Sequence, residues 1–275
     1  MGVRSLSPLE ARVILSLEAE GIELVSLDEI RRRGSISAGF ARKLAYQLVR
    51  KRWLQRVRQG MYLLNPSQHG PDAIPDTDPL RLGSRFVQPY YFGYATAAEL
   101  LGLLPQASKL YYLVSTARAV PVQALQDRFR LIRVTPSRFF GFQRMERRGT
   151  TLSVSNLERT VLDCLNRPEL AGGMAGISHI MALAKPRLNW GRFGRYLNQF
   201  GNRNLALRAG FLAERVRPSI RAPASWIRPR LARPHEPFAP LGPASVYGRS
   251  GPRDERWHVI DNVPDAVLFA EGEIP

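Results

Sequence analysis

Apolar residues first recur at helical spacing near the start of the chain. Val13, Ile14 and Leu17 lie three and four apart behind Ser7-Pro8-Leu9-Glu10, which supplies a cap hydroxyl, a first-turn proline and a capping-box glutamate. The pattern predicts a helix ending before Gly21. Ser26-Leu27-Asp28-Glu29 repeats the box and predicts a short second helix stopped by Gly34. Ser35 and Ser37 offer caps for a third helix running to about Arg52, on which Phe40, Ala41, Leu44, Ala45 and Leu48 share one apolar stripe. The opposite face carries Arg42, Lys43, Tyr46 and Arg50. After Trp53 the period drops to two. Leu54, Arg56 and Arg58 alternate with Gln55 and Val57, Gln59-Gly60 makes a turn, and residues 61–64 return as the second arm of a hairpin.

Three helices followed by a hairpin describe a winged helix-turn-helix over residues 1–64. Residues 65–79 (NPSQHGPDAIPDTDP) read as a linker, because proline, glycine and aspartate favour turns and extended chain over packed elements. Residues 80–275 then make a larger domain. Residues 94–103 predict a helix with Thr96 as its cap, and 110–115, 129–135 and 151–155 predict strands. Asn156 opens a helix bearing Leu157, Val161, Leu162 and Leu165; Asn189 and Asn202 open two more, reaching Phe200 and Val216. Strands followed by a helical run give an α+β fold rather than a doubly wound sheet. From about 216 the chain alternates proline with arginine, which predicts an extended tail. Trp257, Val259, Ile260 and Val267 give its end an apolar strap.

Charge changes the picture most in the first module. Residues 30–64 hold ten arginines and lysines and no aspartate or glutamate, within a 275-residue chain of net charge +17 and pI near 11.0. One-sided charge on an ordered module fits a polyanionic partner, nucleic acid first. On a winged helix the third helix would enter the major groove of double-stranded DNA, with Arg42, Lys43, Tyr46 and Arg50 facing base edges. Ser35 and Ser37 suit phosphate contacts at a helix start, and Arg56 and Arg58 on the wing would neutralise backbone charge. A solvated basic face on a protein-binding module is the bland alternative. Only four of the 40 basic residues are lysine, which suits bidentate recognition of phosphate and guanine and equally suits a GC-rich coding sequence. A second basic region, residues 170–235, carries twelve basic residues against Glu214; Arg192, Arg195, Arg203 and Arg208 are its candidate surface.

No catalytic or metal-binding pattern emerges. His69, His179, His235 and His258 are scattered, Walker, dinucleotide-glycine and nucleophile-elbow patterns are absent, and no cofactor is expected. Cys164, alone of its kind, sits among Val161, Leu162 and Leu165 and reads as a buried thiol, with no disulfide or cysteine zinc site. Glu158 and Asp163 offer a carboxylate pair, but Glu158 beside Arg159 reads as salt-bridge structure. The first residues lack a signal-peptide core and no run approaches a membrane span, so a cytoplasmic protein is expected. A nuclease-like nucleic-acid-processing enzyme and a ligand-sensing regulator are the alternatives to a plain DNA-binding protein.

Residues 27–64, ending KRWLQRVRQGMYLL, resemble the winged-helix half of AbiEi-type antitoxins of type IV toxin–antitoxin systems. In that family pattern a glycine stands where this chain has Arg52. DPLRLGSRFVQPYYFGYATAAELLGL, SNLERTVLDCLNRPELAGG and LNWGRFGRYLNQFGNRNLALRAGFL are similar to segments of the family's C-terminal domain, the block 158–173 being the most specific. The resemblance implies a repressor of its own operon acting at inverted repeats. It also implies a C-terminal antitoxin domain that opposes a nucleotidyltransferase-like toxin without needing a stable complex.

Overall fold

A computed structural model of the chain describes residues 5–69, 78–105, 110–118, 129–216, 222–231 and 235–269. The architecture is α+β, and the chain divides into two compact units. The first takes Met1–Gln88 and Ala117–Arg130, the second Pro89–Thr116 and Leu131–Pro275. Most of the linker expected over 65–79, residues 70–77, lies outside the described residues.

In the first unit the order is α1 (Pro8–Ala19), β1 (Leu24–Ser26), α2 (Leu27–Gly34), α3 (Ala38–Arg50), β2 (Leu54–Arg58), β3 (Met61–Leu64) and α4 (Pro79–Gly83). Ser7 and Glu10 form the reciprocal box at α1, and the Ser26 and Ser37 hydroxyls cap α2 and α3. The strands make an antiparallel sheet of order β1-β3-β2, with Val25 opposite Tyr62. Val13, Ile14, Leu17, Ile30, Leu44 and Leu48 pack with Trp53 and Leu64 in one core.

Two expectations change here. The pairing register shifts between Arg56 and Arg58, so strict alternation fails: Leu54 and Val57 are both buried while Gln55 and Arg56 are exposed. Phe40 leaves the expected stripe altogether. It is 45% exposed, whereas Ala41, Leu44, Ala45 and Leu48 are buried. The core ends one residue inside the first turn of α3, so helical spacing alone overextends it.

The second unit is built on a five-stranded sheet of order β6-β5-β4-β8-β7, from β4 (Tyr91–Phe92), β5 (Tyr111–Ser115), β6 (Phe129–Arg133), β7 (Phe142–Arg147) and β8 (Thr150–Ser155). Pairing is antiparallel for β4 with β5 and β7 with β8, and parallel for β4 with β8. Its longer helices are α5 (Tyr94–Leu100), α6 (Leu157–Asn166), α7 (Gly173–Ala184), α8 (Trp190–Phe200) and α9 (Arg203–Arg215). Asn156, Asn189 and Asn202 cap α6, α8 and α9 through their side chains. Thr96 is not a cap: it lies inside α5, where its hydroxyl accepts the Tyr112 N–H at 2.8 Å, and Gly93 holds the cap position.

The arginine–proline segment is not simply extended. Residues 224–227 form α10 (Ala224–Ile227), which seats the Trp226 ring 4.9 Å from Trp190 and 5.7 Å from Phe193. Burial of that indole ties the segment to α8. Beyond it, β9 (Ala239–Pro240), α11 (Ala244–Tyr247), β10 (Arg253–Asp254), β11 (Val259–Ile260) and α12 (Asp265–Leu268) follow, the strands forming a sheet of order β10-β11-β9. Trp257 straps this part onto α9. A methyl on Gly210 would sit 2.1 Å from its ring, and its indole N–H donates to Glu214 at 2.8 Å.

Candidate nucleic-acid interface

The first unit presents α3 on a turn set by two serines. Ser35 ends α2 in a left-handed conformation, φ 51°, its N–H returning to the Arg31 and Arg32 carbonyls. It therefore belongs to the C-cap of α2 rather than to the start of α3. Ser37 holds that start, its hydroxyl accepting the Phe40 N–H at 3.3 Å. From this turn Arg42, Lys43, Tyr46 and Arg50 all emerge on the exposed side of α3, and Tyr46 is 64% exposed. Arg56 is exposed on β2; Arg58 closes β2, and its side chain lies outside the described residues.

Eight of the ten basic residues of the segment sort into two groups by their partners. Arg31 pairs with Asp28 at 3.4 Å, Arg32 with Glu29 at 3.0 Å, Arg33 with Glu20 at 2.6 Å and Lys51 with Glu10 at 2.7 Å. The Arg33 bond holds the Glu20 carboxyl below its ordinary range. Burial alone would raise Glu10, but the bonds from Lys51 and Ser7 outweigh it and bring that carboxyl down as well. Arg42, Lys43, Arg50 and Arg56 have no carboxylate partner among the described residues. Repulsion among these cations is not offset by a carboxylate of the described residues. A cleft of about 280 Å³ opens beside Arg42, lined also by Ser26, Asp28, Arg31, Ala38 and Gly60 among others.

In the second unit the segment 158–163 is buried, and its charged side chains are bonded within the unit except at Arg159 Nη1, which is shielded without a hydrogen-bond partner. The carboxylate of Glu158 accepts the Asn189 N–H at 2.9 Å and meets Arg192 at 3.4 Å, fastening the start of α8. Arg159 pairs with Asp163 at 2.9 Å, and the Tyr91 hydroxyl donates to the same carboxylate at 3.4 Å. Neighbouring helix residues do not face each other, so the expected Glu158–Arg159 bridge gives way to an i,i+4 pair. The Arg159 guanidinium lies 4.3 Å from the Phe140 ring centroid. Burial raises the Asp163 carboxyl despite the arginine, and burial pushes the Cys164 thiol up. Cys164 lies in the main core of this unit.

The four arginines of the second basic region are placed differently from one another. Arg192 and Arg195 are exposed on α8. Arg203 is committed to the chain that follows, donating to Glu236 at 2.8 Å and to the carbonyls of Arg230 and Leu231. Arg208 is half-buried, with its Nε shielded and unbonded, and burial lowers its pKa. Among the described residues no group of three or more His, Cys, Asp or Glu side chains is placed to hold a metal ion, and no helix is long and apolar enough to cross a membrane.

No protein-family model matches the chain, and no curated protein matches it. Among solved structures it is similar to the crystal structure of the RV2827C protein from Mycobacterium tuberculosis, with a TM-score of 0.70 at 18% identity over 98% of this chain and 97% of that one. That likeness is one of fold.

Proposed function

We propose that this chain is a DNA-binding regulator whose first unit is a winged helix-turn-helix, and that it serves as the antitoxin of a type IV toxin–antitoxin pair. The observation that carries the DNA-binding half is the sorting of charge. The arginines of α2 and Lys51 have carboxylates within their own unit, while Arg42, Lys43, Arg50 and Arg56 stand exposed without one among the described residues. An α-helix with its side chains, about 10–12 Å across, fits the roughly 12 Å major groove of B-DNA. The narrow major groove of A-form RNA does not admit it, so double-stranded DNA is the substrate.

In this reading α3 lies in the groove, Arg42, Lys43 and Arg50 meet guanine edges or phosphates, and Ser37 brings the helix start to a phosphate. The β2–β3 hairpin is the wing, and Arg56 and Arg58 on it neutralise flanking backbone. The operator is an inverted repeat upstream of the gene. The antitoxin half rests on the resemblance of segments beyond residue 80, with a nucleotidyltransferase-like toxin as functional partner and no stable complex required. Burial of Glu158, Arg159 and Asp163 supports a role for that block in holding the domain together. Of the four candidate arginines of the second basic region, Arg195 and Arg192 are the exposed ones that would face a target, Arg192 while also meeting Glu158.

A mobility-shift experiment with full-length protein and the DNA upstream of its gene tests the reading, alongside protection of cells expressing the partner toxin. Retarded, intact DNA is expected, lost when Arg42, Lys43 and Arg50 are changed to glutamate, with protection kept. Cleavage of the fragment in Mg²⁺ or Mn²⁺ would favour the enzyme alternative. Failure of the wild-type protein to retard any upstream DNA at low salt would end the DNA-binding account.

A further inference from the structure

We propose that Phe40 reads the 5-methyl group of a thymine in the operator and thereby helps set its sequence. This inference rests on the DNA-binding reading above and assigns a role to a residue that reading does not use. On the apolar stripe of α3, Ala41, Leu44, Ala45 and Leu48 are in the core, while the Phe40 ring stands 45% exposed. An aromatic side chain left in water forgoes the largest contribution that burial could make at that position. Packing among the described residues of the core gives no reason for a phenyl ring there.

Its position gives one. Phe40 is the third residue of α3, and its backbone N–H donates to the Ser37 hydroxyl, so the residue is set in the first turn, at the helix tip that would lead into a groove. Ala38 and Gly39 beside it are exposed, and a Cβ added at Gly39 would meet nothing within 4 Å. The tip is therefore small, apolar and open to close approach, with the cations Arg42 and Lys43 just behind it. The side chains of Ala38, Gly39 and Phe40 offer nothing to the donor and acceptor edges of guanine, cytosine and adenine, and phosphate is left to Ser37 and the backbone N–H groups of the helix start. The thymine methyl is the apolar group that the major groove displays, and phenylalanine is a side chain that covers it.

The test uses full-length protein and the upstream fragment it retards, with each thymine of the protected site replaced in turn by deoxyuridine. That exchange deletes a methyl group and leaves charge and base pairing unchanged. At one thymine per half-site the wild-type protein should lose about fourfold in affinity, the worth of one buried methyl. Phe40→Ala should lose a similar factor on the thymine fragment, lose nothing further on the deoxyuridine fragment, and keep the wild-type salt slope and melting temperature. Phe40→Leu should retain part of the discrimination. If wild-type protein binds every deoxyuridine fragment like the parent, Phe40 does not read a methyl, although the DNA-binding reading survives. If Phe40→Ala still discriminates, another residue covers the methyl. If the wild-type protein retards no DNA, the inference falls together with the reading beneath it.

Discussion

Lys43 and Lys51 both belong to the acid-free segment, yet they should behave as opposites. Lys51 Nζ lies 2.7 Å from a Glu10 carboxylate that is only 2% exposed, while the lysine itself is 35% exposed. Removing one partner of a fully buried ion pair costs about 3–5 kcal/mol. Water reaches Lys51, and Glu10 keeps its 2.7 Å bond from the Ser7 N–H, so about 2 kcal/mol is expected for Lys51→Ala. For a unit of this size that lowers the melting temperature by roughly 10 °C.

The pH dependence has a definite sign. The folded Glu10 carboxyl lies below its ordinary 4.5, so the unfolded chain binds more protons between the folded value and 4.5. The stabilisation is complete above 4.5 and is lost as pH falls through the folded value. The stability gap between wild type and Lys51→Ala should therefore narrow as pH drops below that point. Lys43→Ala, on an exposed helix face, should change stability by less than about 0.5 kcal/mol and lower the salt slope of DNA binding by about 0.9. Thermal melts of the first unit followed by tryptophan fluorescence, with binding titrations at several salt concentrations, read both effects. An unchanged melt for Lys51→Ala, or an equal loss of stability for Lys43→Ala, would refute the division into paired and unpaired cations.

Arg52 holds φ 60°, a left-handed conformation, where the AbiEi-type pattern has glycine; Arg52→Gly should raise stability by about 1 kcal/mol in denaturant titration. Gly210→Ala pushes a methyl against the Trp257 ring and should destabilise the second unit by about 1–3 kcal/mol, with a change in tryptophan emission. Lys185 is buried and donates to the Ala213 and Val216 carbonyls at 2.8 and 2.7 Å, closing the end of α9. Lys185→Met strands both acceptors and should cost about 2–4 kcal/mol by the same titration.

What the sequence revealed was mostly local. Caps at Ser7, Ser26, Ser37, Asn156, Asn189 and Asn202 act within three residues of themselves, so each is readable from its own neighbourhood. β1 and β4 span three and two residues, too short to display a period, and β7 is an edge strand whose exposed positions mask its alternation. Phe40 and the irregularity in β2 depend on where the core stops, which spacing along one helix or strand does not encode. The division of the cations was hidden for a different reason. Glu10 meets Lys51 across 41 residues and Glu20 meets Arg33 across 13, so composition over 30–64 counted as unpaired several charges that the fold neutralises. Of the ten basic residues, Arg31, Arg32, Arg33 and Lys51 are paired, while Arg42, Lys43, Arg50 and Arg56, which the sequence had already placed on the candidate face, have no carboxylate among the described residues, and the Arg58 side chain lies outside them.

The central claim is that the unpaired cations of α3 are held for DNA phosphates and bases. The most direct measurement is the salt dependence of binding to the upstream fragment by full-length protein, compared with the variant carrying Arg42→Ala, Lys43→Ala and Arg50→Ala. Each phosphate contact contributes about 0.9 to the slope of log K against log salt, so the variant should fall short of wild type by up to about 2.7 while melting at the same temperature. Equal slopes in two equally folded proteins would place the DNA-binding surface elsewhere and contradict the account.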